Sequence, residues 1–125
     1  MIRDELNKIT ERIIGIAFDI HKLLGPGFNE KVYAQALKEE FSRNKVKNEK
    51  EKNIEVEYKD RLIGEQRIDF LVENEVILEL KAVEYIGKIH LAQMLSYLKT
   101  LDKRIGLILN FANTKLEIKR VVNKF

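Results

Sequence analysis

Leu6, Ile9, Ile13, Ile16, Ile20 and Leu23 recur at steps of three and four. That spacing predicts an amphipathic helix over residues 3–24. Gly25-Pro26-Gly27 is the sharpest break in the chain, and Pro26 is its only proline. Tyr33, Ala36, Leu37 and Phe41 then restore the helical period over residues 29–44, with Asn29 placed to cap the start. Residues 45–53 hold four lysines and two glutamates and read as a solvated connector.

From Ile54 the period changes to two. Ile54, Val56 and Tyr58 alternate with Glu55, Glu57 and Lys59, as in a half-buried strand. A turn over residues 60–64 leads to a second strand over 66–72. Glu73-Asn74 turns into a third over 76–83, apolar on both faces apart from Glu79 and Lys81. Such a strand is central and covered on both sides. Leu91, Met94, Leu95 and Leu98 mark a helix over 87–101, and two further strands follow at 105–111 and 116–122. The order ααβββαββ predicts an α/β fold, a mixed sheet of five strands flanked by helices.

Composition narrows this picture in three ways. The 125 residues suit one domain, 1–125, and 45% apolar content supports a packed core. The 23 basic and 20 acidic residues leave a net charge of +3, which excludes a polycation and leaves the placement of lysines decisive. Lys22, Lys31, Lys38, Lys45, Lys47, Lys50, Lys52 and Arg43 fall on the helical half and the connector, either as a solvated surface or as contacts to a nucleic-acid backbone. Zero cysteines exclude disulfides and thiolate chemistry and fit a reducing cytoplasm. No apolar run reaches the ~18 residues of a membrane span, and the first residues lack the apolar stretch of a signal peptide.

The chemistry begins with the charges inside the apolar strand. Glu79 and Lys81 are two apart and project to one side. Burying either charge alone is costly, so the pair needs a purpose, structural or catalytic. Asp69 sits between Ile68 and Phe70 on the preceding strand. Folding about Glu73-Asn74 sets residues near 69 opposite residues near 78 and 79. Two carboxylates brought together repel unless one is protonated or a cation lies between them. An all-oxygen set, with the main-chain carbonyl of Leu80 as a further ligand, suits Mg²⁺ or Mn²⁺. Lys81 would then orient a water or balance charge on a phosphate. The structural alternative is a salt-bridge network with no site.

Asp69 followed by Glu79-Leu80-Lys81 resembles the signature of the PD-(D/E)xK nuclease-like superfamily. Gly27-Phe-Asn-Glu30-Lys-Val-Tyr33 reads G-x-x-E-x-x-Y, the pattern of the small bacterial and archaeal GxxExxY proteins placed within it. His90-Leu-Ala-Gln93-Met-Leu-Ser-Tyr97 and Gly106-Leu-Ile-Leu-Asn110-Phe111 match further segments in the expected order. Arg67-Ile68 stands where the superfamily's nominal Pro would precede Asp69. The resemblance spans residues 9–121. It implies an α/β core with an acidic, divalent-metal site and a history of phosphodiester hydrolysis in DNA or RNA, without naming a substrate.

Beside that resemblance, Glu30 and Tyr33 share one helical face. Glu30 can serve as a third acidic group near the metal, or as a carboxylate favoured by the helix dipole. Tyr33 is a candidate for substrate contact or for the core. Gln93 and Tyr97 share a face of the third helix and resemble a pair in the superfamily's exonuclease branch that borders the metal site. His90, one turn earlier, is a substrate-contact candidate or an ordinary helix histidine, and His21 reads as structural. The functional alternatives are a Mg²⁺-dependent nuclease and a catalytically silent nuclease fold acting as a homo-oligomer or with a partner protein.

Overall fold

A computed structural model describes residues 2–125. The chain runs α1 (Arg3–Leu24), α2 (Glu30–Arg43), β1 (Asn48–Tyr58), β2 (Arg61–Val72), β3 (Val76–Lys81), α3 (Lys88–Leu101), β4 (Ile105–Asn110) and β5 (Glu117–Val122). The strands form one mixed sheet in the order β1-β2-β3-β4-β5. β3 and β4 pair in parallel, as a crossover through α3 requires, and the other described pairs are antiparallel.

The two helix layers follow from strand alternation. Val76, Leu78 and Leu80 of β3 and Ile105, Leu107 and Leu109 of β4 bury against α1 and α2, where Leu6, Ile13, Ala17, Leu37 and Phe41 meet them. Ile77 and Ile108 point the other way, onto Met94, Tyr97 and Leu98 of α3. Leu23, placed on the apolar stripe by spacing, is 86% exposed, and Leu24 packs against the core in its place. At the last turn of α1 the stripe has rotated past Leu23.

Three boundaries depart from the sequence reading. Residues 48–53, expected in a loop, form the first half of β1, with Asn48 paired to Val72 and Lys52 to Ile68. This is an edge strand held by backbone pairing, so its side chains are largely free of the core and carry no apolar period. The turn expected over 60–64 tightens to Lys59-Asp60, both at positive φ. That conformation suits the twist of a two-residue hairpin. β3 stops at Lys81, because the side chain of Asn110 takes over the backbone of Val83 through Val83 N–H to Oδ1 at 3.1 Å and Nδ2 to Val83 O at 2.8 Å.

Candidate functional site

The β2–β3 ladder is regular from Val72↔Val76 to Phe70↔Leu78 and then ends. At the next position the side chains replace the backbone bonds. The Asp69 N–H donates to Glu79 Oε1 at 3.1 Å, and the Leu80 N–H donates to Asp69 Oδ2 at 2.8 Å. Each carboxylate is thus fastened to the other strand where the strands separate. Burial above all, then the neighbouring Asp69 charge, pushes the Glu79 carboxyl up to about 8, and Lys81 only partly opposes this. Among the described residues no ion pair within 4.0 Å joins Lys81 to Glu79. The cluster is therefore two carboxylates held close together with a lysine nearby, and none of the three makes an ion pair within 4.0 Å among the described residues.

Glu30 arrives from the first turn of α2. Asn29 caps that helix through Oδ1, which accepts from the Val32 N–H at 3.3 Å. The residue is exposed overall, but its carboxyl turns inward. Partial burial and the Asp69 charge raise its affinity for a proton, while Lys81 and the Ala82 N–H oppose them. Across the sheet, Tyr97 is buried in the α3 layer. Its hydroxyl holds its proton more tightly than usual because of burial, Glu79 and Asp69, and hydrogen bonding with Gln93 acts against them. The fold therefore couples Glu30, Asp69, Glu79, Lys81, Gln93 and Tyr97 electrostatically. Glu30, Asp69 and Leu80 also line one open cleft of about 500 Å³.

The donor set suits a hard divalent cation: oxygens only, with two carboxylates whose mutual repulsion a cation would relieve. Among the described residues, no three His, Cys, Asp or Glu side chains form a ligating cluster, so Asp69 and Glu79 stand as a pair.

A model of the PD-(D/E)XK nuclease superfamily matches residues 7–121. The chain belongs to this superfamily. Among solved structures, it is similar to one titled "Crystal structure of SSO0001", with a TM-score of 0.59 and 14% identity, over 76% of this chain and 50% of that one. The chain thus spans about half the length of that structure, and the likeness is one of fold. No curated protein sequence matches it.

The remaining candidates lie outside the carboxylate cluster of this PD-(D/E)XK chain. Tyr33 is fully buried and stacks on Phe111 with ring centroids 4.4 Å apart. Its hydroxyl donates to Gly25 O at 2.6 Å and accepts from the Phe28 N–H at 3.3 Å. Its two hydrogen bonds pin the corner where Gly25 and Gly27 take positive φ, and so deliver Glu30. His90 accepts the Gly87 N–H through Nδ1 at 3.0 Å, closing the start of α3. His21 is buried, with Nε2 2.9 Å from Asn113 O.

Asn110 lies in the Gly106-to-Phe111 segment, and its position alone suggests no role. It is fully buried. Besides Val83, it bonds the Ala112 N–H at 3.2 Å and, through Nδ2, Glu117 Oε1 at 2.9 Å. Glu117 also receives the Ile86 N–H at 2.9 Å. Together they fasten the segment that leaves the Glu79-x-Lys81 strand for α3. An asparagine ending an apolar run was the available signal.

Proposed function

We propose that this chain is a divalent-cation-dependent phosphodiesterase acting on nucleic acid, of the GxxExxY type within its superfamily. One observation carries the reading: Asp69 and Glu79 are locked to each other's strands where the sheet opens, with Lys81 beside them. Such a pair is stable only when protonated or cation-bound. Asp69, Glu79 and the Leu80 carbonyl would hold Mg²⁺ or Mn²⁺. When bound, the ion supplies Lewis acidity to phosphoryl oxygens and acidifies water. Lys81 holds the attacking water in line and balances charge on the phosphate. Glu30, anchored at the Ala82 N–H, takes part in proton movement at the same mouth. Gln93 and Tyr97 bound the site on the α3 side.

The test is cleavage of plasmid, linear duplex and single-stranded substrates with Mg²⁺ or Mn²⁺. The wild type should cut at least one of them, and Lys81→Ala should lower the rate by roughly 10²-fold or more. Equal cutting by the variant, or none by the wild type, refutes the reading.

A second reading, a silent nuclease fold working as an oligomer or with a partner protein, is favoured by the carboxylates standing as a pair, with no third ligating side chain among the described residues. It predicts no heat of Mg²⁺ binding in titration calorimetry. Binding lost in Asp69→Asn argues against it.

A further inference from the structure

The cleft holding Asp69 is acidic at its floor and basic at its rim. Lys31 enters from the first turn of α2, Lys50 from β1 and Arg67 from β2, two residues before Asp69. Three separate elements thus bring cations to one opening. Lys31 and Arg67 are exposed and make no ion pair within 4.0 Å among the described residues, although Glu30 and Asp69 line the same cleft. Among the described residues, Lys50 has one ion-pair partner, Glu51, at 3.7 Å. Lys50 is partly buried and Glu51 exposed, and a contact this long to a solvent-exposed carboxylate is weak and screened by salt, so a phosphate can displace it. The other lysines of the basic half do not line the cleft. Lys38 bonds Asn48 Oδ1 and Lys52 pairs with Glu49.

Glu51 is the unusual member. It sits inside β1 at φ +56, a left-handed conformation that is strained for a non-glycine residue. Its place in the β1–β2 register is opposite Asp69, yet the two are skipped in the ladder between Lys50↔Phe70 and Lys52↔Ile68. Glu51 lines the cleft beside Lys50.

We propose that Lys31, Lys50 and Arg67 form a track that grips backbone phosphates of a nucleic-acid strand entering the cleft, with Glu51 occupying Lys50 until a phosphate replaces it. The track deepens the nuclease reading and rests on it for the direction of the strand, but binding is measured apart from cleavage. Contacts of this kind position a substrate and read no sequence.

The experiment is fluorescence anisotropy with labelled duplex and single-stranded oligonucleotides of two unrelated sequences, in an Asp69→Asn background that keeps the strand intact. Lys31→Gln, Lys50→Gln and Arg67→Gln are combined, and compared with Lys22→Gln, Lys45→Gln and Lys115→Gln, which remove the same charge elsewhere. Three phosphate contacts should contribute roughly 2 to 3 to the slope of log K against log salt. The cleft variant should therefore bind at least tenfold more weakly at low salt, with a slope flatter by about that amount. The control should stay within threefold. Equal loss in both, or an unchanged slope in the cleft variant, overturns the track. Each single cleft substitution should flatten the slope by about 1, which keeps the test decisive if the triple variant folds poorly. Glu51→Gln should tighten binding two- to threefold while Glu39→Gln does not. Weaker or unchanged binding overturns the displacement role. Cleavage by the wild type with no effect of the cleft variant on binding removes the track and keeps the nuclease. Binding lost in the cleft variant without any cleavage does the reverse.

Discussion

The β3–β4 pair and the β1–β2 ribbon are built from the same backbone interaction and differ in almost everything else. β3 and β4 are six residues each, parallel, and buried except at Lys81. β1 and β2 are 11 and 12 residues, antiparallel, and exposed over the first seven positions of β2. The buried pair has no freedom: helices cover both faces, so side-chain volume and polar satisfaction set its stability. The ribbon depends on backbone pairing and its turn, and most of its side chains can change without a core to disturb. Asp69 lies where one regime gives way to the other, and this position permits a carboxylate there. One strand further in, it would be sealed; further out, it would be too solvated to perturb Glu79.

The sharpest way to break the contrast is at the buried end. Asn110→Ala should destabilise the protein by about 3 kcal/mol, since the Val83 backbone loses both of its bonds and Glu117 loses one of two donors beside a fully buried cavity. Urea unfolding measures it, and a loss under 1 kcal/mol means the segment is held by other contacts. Gly106→Ala comes next. A Cβ there would lie 2.3 Å from Met94 Sδ and 2.8 Å from its Cγ. Met94 is itself buried, so repacking should cost about 1–3 kcal/mol. A melting temperature unchanged from wild type would show that Met94 escapes freely.

Glu79→Gln should act in the opposite direction. The folded carboxyl is raised from 4.5 to about 8, so the folded state binds the extra proton more tightly. Its contribution to stability is complete below about pH 4.5 and is lost as the pH rises through about 8. In EDTA at pH 8.5, Glu79→Gln should therefore be more stable than wild type by about 2 kcal/mol, because the amide can donate to Asp69 without a charge. The two proteins should converge below pH 5. A parallel pH dependence of their melting temperatures would contradict the assignment. The smallest effect belongs to the ribbon tip. Leu62, at 56% exposure, changed to Ser should shift stability by less than about 0.5 kcal/mol. A larger loss would mean that the tip is packed in solution.

Periodicity located the elements because most of them bury a definite stripe or face. The Glu73-Asn74 turn brought Asp69 and Glu79 together as its register required. What local pattern left open shares a cause. Residues 48–53 pair through backbone atoms alone, so their side chains give no signal. Tyr33 carries both a core and a substrate-contact reading in the sequence; it is buried, and its hydroxyl serves Gly25 and Phe28, partners set by a corner that spacing does not describe. Arg67 was noticed only as a missing proline, and its cleft neighbours Lys31 and Lys50 come from elements far apart in the chain.

By itself the sequence determined the order of elements, the strand that carries Glu79 and Lys81, and the carboxylate opposite them, because alternation and turn length fix register locally. Tertiary structure alone decided that Glu79 is buried enough to hold a proton near pH 8, that Glu30 and Tyr97 both feel the Asp69 charge from different helices, and which three cations rim the cleft. Burial and long-range charge depend on what packs from elsewhere in the chain, and no local pattern encodes that.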